Sequence, residues 1–201
     1  MKRLLIACCM TALMTSVLMA QNPTPEEMTK AVQYLERTRA GVYQATSGLT
    51  PEQWDFKPAT NKWSVAEVVE HIAAAEDLLR GMVQDKVMKS PARTNKVDLA
   101  VLDAMVLQKV PDRSTKAQAP EPLQPNNRYG SPKASLQHFR ESRSQTIDYL
   151  KDTPNLRGHA MASPMGQQLD GYEWILFIAA HSDRHTKQIL EVKADANFPK
   201  K

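Results

Sequence analysis

Trp63-Ser64-Val65-Ala66-Glu67-Val68-Val69-Glu70-His71-Ile72 carries the densest local instructions in this chain of 201 residues. Ser64 is an N-cap, and Glu67, three residues on, closes a capping box in which each side chain accepts a backbone N–H of the other residue. Trp63 and Val68 occupy the two positions of a hydrophobic staple, which fixes the angle at which the chain enters the helix. Val65, Val68, Val69, Ile72, Leu78, Leu79, Met82 and Val83 then keep a helical period to about Met88. His71 shares its face with Val68, Ala75, Leu78 and Met82, so the same period turns its imidazole toward the interior.

Upstream, Thr24-Pro25-Glu26-Glu27 starts an earlier helix, with Thr24 as cap, Pro25 at the first helical position and Glu27 completing a capping box. Its stripe is Met28, Val32, Leu35, Val42 and Leu49, and Gly48 to Lys62, with Pro51 and Pro58, reads as a turn-rich connection. Downstream, a third long helix begins near Ser131-Pro132, runs through Leu136, Phe139, Ile147 and Leu150, and stops before Pro154. A fourth begins at Asp170, with Glu173 closing its capping box, and carries Trp174, Ile175, Phe177, Ile178, Ile189 and Val192. Between the second and third helices, Pro91, Pro111, Pro120, Pro122, Pro125 and Pro132 break up residues 90–132, leaving room for a short helix over Val97 to Val110. No segment alternates as a strand should. The expected fold is all-α, a four-helix bundle with one long crossover connection, and an excursion of that length usually covers a site or moves.

The chain opens on Lys2 and Arg3, an almost unbroken apolar run from Leu4 to Met19, and the small residue Ala20, which together read as a secretory signal peptide over residues 1–20. The run is shorter than the roughly 20 apolar residues of a spanning helix. The protein is therefore expected to be exported, periplasmic or extracellular, with no membrane attachment beyond export. Cys8 and Cys9 both fall inside the signal, so residues 21–201 carry no thiol, which excludes disulfides, cysteine-ligated zinc and cysteine nucleophiles there. Removing Lys2 and Arg3 from 26 basic residues set against 22 acidic ones lowers the formal net charge from +4 to +2, and nothing in that balance calls for a nucleic-acid partner. Residues 21–201 suit a single domain with one core.

His181 and His185 lie one helical turn apart, with Cβ atoms about 6 Å from each other, close enough to share an ion at about 2.0–2.1 Å from each nitrogen. That spacing is common by chance, so direction matters more. Trp174, Ile178, His181, His185, Gln188 and Val192 follow steps of three and four, which puts both rings on the inward stripe. With His71, three imidazoles from two helices face one interior. Each could be an ordinary core histidine bonded to a carbonyl or carboxylate. Together they would bind one divalent ion and leave a coordination position open for water or substrate, as catalytic zinc sites do; imidazole suits nickel, iron and copper as well. Glu67, one turn before His71, could orient that ring as well as cap its helix, and Gln188 could hydrogen-bond the histidine pair or a substrate. Glu70, Asp183 and Arg184 read as a solvated, salt-bridged edge. His138 has no partner at ligand spacing, and His159 falls in the Gly158 to Gly166 connection.

The block from Trp63 to Ile72, preceded by Leu49-Thr50-Pro51-Glu52-Gln53-Trp54, resembles the first metal-ligand region of the DinB/YfiT-like superfamily. His181-Ser182-Asp183-Arg184-His185-Thr186-Lys187-Gln188-Ile189 resembles the second. The resemblance spans essentially the whole chain after the signal. It implies a four-helix bundle in which a histidine of the second helix and an HxxxH pair of the last bind zinc or nickel, and these map onto His71, His181 and His185. Members include thiol-dependent S-transferases, a thiol-dependent isomerase and metal-dependent hydrolases; despite the name, no DNA polymerase chemistry is implied. The expectation is an exported metalloprotein that activates water for hydrolysis of a small-molecule substrate. Thiol-dependent S-transfer, or noncatalytic binding of a metal or small ligand, are the alternatives, and a homodimer is compatible with either.

Overall fold

Every α-helix among the described residues begins at a residue whose side-chain oxygen accepts a backbone N–H of the first turn, so the boundaries follow from capping chemistry. The computed structural model describes residues 22–93 and 97–200; the expected signal peptide lies outside them. The elements are α1 (Pro25–Thr46), α2 (Pro51–Asp55), α3 (Val65–Asp85), α4 (Leu99–Lys109), α5 (Pro132–Asp152), the strands β1 (Ala160–Ala162) and β2 (Gln168–Asp170), and α6 (Gly171–Lys193), with 3₁₀ turns at Val87–Lys89 and Glu121–Leu123. The full capping boxes read from sequence at Thr24, Ser64 and Asp170 are all formed, and Thr50 with Gln53 makes another at α2.

The four long helices form the bundle. Around it, α1 packs on α6, α6 on α3, α3 on α5, and α5 back on α1. Helices consecutive in sequence, α1 with α3 and α5 with α6, thus stand diagonally rather than side by side, and this order sets α3 directly against α6. The short helix α4 of the crossover packs on α6.

The core is two apolar regions rather than one. Leu35, Val83, Ile147, Leu150, Trp174 and Ile175 belong to the first, and Val42, Val68, Ile72, Phe139, Ile189 and Val192 to the second. Between them in sequence, on all four helices, lies a buried polar layer centred on Arg143, which is 0% exposed, and Glu76, which is 1% exposed. The Arg143 guanidinium grips Glu76 with two bonds, Nε to Oε1 at 2.7 Å and Nη2 to Oε2 at 2.8 Å. Its remaining N–H groups donate to the Leu35 carbonyl at 2.7 Å, Thr38 Oγ1 at 2.8 Å and Ser182 Oγ at 2.8 Å, while Thr146 Oγ1 donates to Glu76 Oε1 at 2.8 Å. One side chain of α5 therefore ties α1, α3 and α6 together, and Ser182 places that tie next to His181.

Several expectations change. α3 ends at Asp85, and the residues up to Lys89 tighten into a 3₁₀ turn instead of continuing to Met88. Leu78, read as inward on the face of His71, is 43% exposed, because the stripe drifts as the helix leaves the centre of the bundle. α1 stops at Thr46, so Leu49 reaches the second apolar region from a loop. The absence of strands also fails. Ala160↔Asp170, Met161↔Leu169 and Ala162↔Gln168 pair antiparallel around a turn with Gly166 at φ +76°, and three-residue strands are too short for an alternating pattern to show. The predicted short helix over 97–110 is α4.

The buried pair gives a direct test. Arg143→Met leaves the Glu76 carboxylate buried without its partner and is expected to lower the unfolding free energy by about 3–5 kcal/mol. Adding Glu76→Gln should return a large part of that loss in urea denaturation, because the stranded charge is then gone.

Candidate metal centre

Ser64 starts α3 so that His71 falls on its second turn, facing α6, where His181 and His185 stand one turn apart. The Nε2 atoms of the three rings close a triangle, 3.2 Å from His71 to His181, 3.1 Å from His71 to His185 and 3.1 Å from His185 to His181. His71 is 3% and His185 9% exposed; His181 is the most open of the three. The Trp63 ring lies against His71 with centroids 4.9 Å apart, walling that side.

The outer nitrogens decide what the inner ones can do. His71 Nδ1 is 2.9 Å from the Leu123 carbonyl oxygen, which only accepts, so the ring proton sits on Nδ1. His185 Nδ1 is 2.8 Å from Gln188 Oε1. Arg113 Nη1 also donates to that oxygen, at 3.4 Å, which identifies the atom as the amide oxygen and places the His185 proton on Nδ1 too. Arg113 is in turn held by Glu191 through Nε at 2.6 Å and Nη2 at 2.7 Å. Both Nε2 atoms therefore carry lone pairs, and these face each other across 3.1 Å. Whatever tautomer His181 adopts, that edge of the triangle lacks a proton.

A cation is the group that resolves such an arrangement. An ion bonded at about 2.0–2.1 Å to corners of a tetrahedron spaces its ligands about 3.3–3.4 Å apart, and the triangle lies within a few tenths of an ångström of that. Among the described residues these three are the group of His, Cys, Asp and Glu side chains with donor atoms close enough to share an ion. At that spacing the three side chains could hold one metal ion.

Burial lowers the pKa of all three rings, with His181 and His185 held well below 6.5. His71 further depresses His181 and His185, and His185 depresses His181, while the charged side chains acting on the rings are Arg128 on His71, Arg113 and Arg184 on His185, and Arg184 and Arg143 on His181. At neutral pH the rings are thus uncharged, the form that coordinates.

The crossover contributes more to this centre than its sequence suggested. Glu70, read as a solvated edge, is buried and accepts the backbone N–H groups of Asn126 at 2.8 Å, Asn127 at 3.0 Å and Arg128 at 3.1 Å. These bonds hold its pKa below the usual carboxylate value despite burial, and they fix the loop that brings the Leu123 carbonyl onto His71. Arg184 donates to the carbonyls of Asp112 and, at 2.6 Å, Thr115, so it too anchors the crossover. Of the two roles read for Glu67 the structure keeps the cap: its carboxylate accepts from Ser64 N at 2.9 Å and pairs with Lys57 at 2.6 Å, so it is not an orienting group for His71. Gln188 does bond His185. Asp183 pairs with Lys187 at 3.4 Å. His138 bonds Asp77 and stacks on Tyr129, and His159 bonds the Ser90 carbonyl, so neither joins the triangle. Backbone acceptance by Leu123 and the reach of Arg113 leave no signal in sequence; the position of Gln188, three residues after His185, does.

Comparison with known proteins places this geometry in context. The model of the DinB superfamily matches residues 34–189. The chain is 28% identical over 158 residues to the uncharacterized protein YuaE of Bacillus subtilis strain 168, covering 77% of this chain and 92% of that protein. The solved structure of YfiT from Bacillus subtilis superposes with a TM-score of 0.54 at 17% identity, covering 89% of this chain and 92% of that one. YfiT is described as a probable metal-dependent hydrolase with an unusual four-helix bundle topology. At that identity the likeness is one of fold.

Two outcomes are expected. Gln188→Ala should weaken zinc or nickel binding 10–100-fold, measured by competition with a chromophoric chelator, with the far-ultraviolet circular dichroism unchanged. In the metal-free protein, imidazoles depressed in the folded state bind fewer protons than in the unfolded chain. Their stabilising contribution is present above pH 6.5 and is lost as pH falls below it toward the folded values. Urea midpoints of metal-free protein should therefore drop between pH 7 and pH 5, and less so in His185→Ala.

Proposed function

The chain belongs to the DinB superfamily, and on that premise we propose that it is an exported metalloenzyme whose His71, His181 and His185 hold one divalent ion, zinc or nickel, for hydrolysis of a small-molecule substrate. The observation that carries this reading is the pair of Nε2 lone pairs converging at 3.1 Å, each fixed by an outer hydrogen bond. A divalent ion there supplies a Lewis acid that polarises a substrate oxygen and lowers the pKa of a coordinated water or thiol.

The protein's own groups set how strongly that acid acts. Three neutral imidazoles, with His71 and His185 backed by a carbonyl and an amide rather than by carboxylates, would leave the charge of the ion undiminished. The carboxylates near His71 on α3 are committed elsewhere: Glu67 to the helix cap, Glu70 to the crossover backbone, Glu76 to Arg143. Trp63 and the crossover cover the His71 side, and His181 is the more exposed residue of the three.

Export rests on the apolar run from Leu4 to Met19 behind Lys2 and Arg3. It favours water over an intracellular thiol as the nucleophile. Thiol transfer is the second reading, supported by the same uncompensated charge, which would stabilise a thiolate equally well. Zinc- or nickel-loaded protein assayed against esters, amides and lactones, and against electrophiles with an added thiol, separates the two. His71→Ala should lose the metal and at least about 100-fold in rate, in the range expected for loss of a principal electrostatic catalyst. Full activity in that variant would reject a metal-centred reaction.

A further inference from the structure

A glutamine amide has two ends of nearly equal size, one that accepts and one that donates, and the end that faces a histidine decides where the ring carries its proton. His185 is in that position, with Gln188 reaching its Nδ1 at 2.8 Å from one turn along α6. With Oε1 forward, the ring donates from Nδ1 and its Nε2 is bare. With the amide turned over, its NH2 would donate to Nδ1 and the ring proton would move to Nε2, the nitrogen that must be bare to bind an ion.

Left to itself, the metal-free centre favours the turned-over state. His71 keeps its proton on Nδ1, because the Leu123 carbonyl 2.9 Å away can only accept. Its Nε2 lone pair stands 3.1 Å from His185 Nε2, and a proton on the latter would turn that repulsion into a hydrogen bond. Arg113 is placed to oppose the flip. Its Nη1 donates to Gln188 Oε1 at 3.4 Å, and its side chain is only 22% exposed, so solvent screens the charge incompletely. A turned-over amide would point its N–H groups at that guanidinium, donor against donor. Glu191 keeps the guanidinium from swinging away, holding Nε at 2.6 Å and Nη2 at 2.7 Å. The backbone that carries Arg113 is pinned to α6 on both sides, by Lys187 on the Pro111 carbonyl at 3.3 Å and by Arg184 on the Thr115 carbonyl at 2.6 Å.

We propose that Arg113 is a positioning residue of the metal centre: it holds Gln188 with its oxygen toward His185 and so keeps that ring in the tautomer that binds an ion. The crossover thereby readies the site before an ion arrives. A crossover lifted from α6 would release the amide, and a hydrogen bond between His185 and His71 would then close the site. This rests on the metal reading above and assigns a further residue to the same centre.

The test reads ring tautomers of ¹⁵N-labelled, metal-free protein from long-range ¹H–¹⁵N correlations at pH 8, alongside zinc affinity by competition with a chromophoric chelator. Arg113→Met is expected to move the His185 proton from Nδ1 to Nε2 while His71 stays protonated on Nδ1, and to weaken zinc binding 10–100-fold. Gln188→Glu supplies the decisive background, because a carboxylate has no donating end to turn inward. In Arg113→Met/Gln188→Glu the His185 proton should return to Nδ1. An Arg113→Met protein whose His185 keeps its proton on Nδ1, or a double variant that still carries it on Nε2, would overturn the proposal and leave the metal centre standing. A tautomer change at His71 as well would show that Arg113 merely seats the crossover, and would overturn it too. Zinc affinity unaltered in His71→Ala would overturn the metal reading itself.

Discussion

Two imidazoles held with their lone pairs toward each other are the constraint on which the rest of this structure turns. His71 and His185 are each fixed from behind, by the Leu123 carbonyl and the Gln188 amide, so neither can relieve the repulsion by moving its proton to Nε2. Rings so arranged need a scaffold that resists their separation. The diagonal order of helices sets α3 directly against α6, and Arg143 ties both to α1 from within the core. A buried ion pair of this kind adds little net stability over well-packed apolar side chains. Here it fixes which side chains of α6 stand opposite α3.

The crossover between α3 and α5 is a working part of the centre. Its backbone supplies the acceptor for His71, its Arg113 orients Gln188, and its turn at 126–128 is clamped by Glu70 from the helix that carries His71. Arg184, beside His185, grips the same segment from the other helix. Ligand helices and cover are thus bonded to each other on both sides of the metal position. The proline-rich composition suits that task, since a chain wrapped over a site by side-chain contacts needs few backbone partners of its own.

What could be read from sequence was what is encoded locally. Capping boxes at Thr24, Ser64 and Asp170 and the apolar period located all four long helices, and that period turned His71, His181 and His185 inward. Gln188 was legible because a partner three residues along a helix shares the face of His185. What was hidden depends on tertiary placement. Glu70 and Arg143 look like surface charges, and only the folded chain supplies the three amides of 126–128 or the carboxylate of Glu76 that make their burial tolerable. Leu123 acts through a carbonyl that any residue would offer. The hairpin at 160–170 was missed because its strands are shorter than one repeat of a convincing pattern. Glu67 satisfied two readings in sequence, and the structure keeps it as a cap.

The most direct measurement is the tautomeric state of the histidines in metal-free protein, read from long-range ¹H–¹⁵N correlations of the imidazole rings near neutral pH. His71 and His185 should both carry their proton on Nδ1, with unprotonated Nε2 atoms. A proton on Nε2 of either ring would mean that the outer hydrogen bonds do not govern the centre, and a simple hydrogen bond between two core histidines would then replace the metal site.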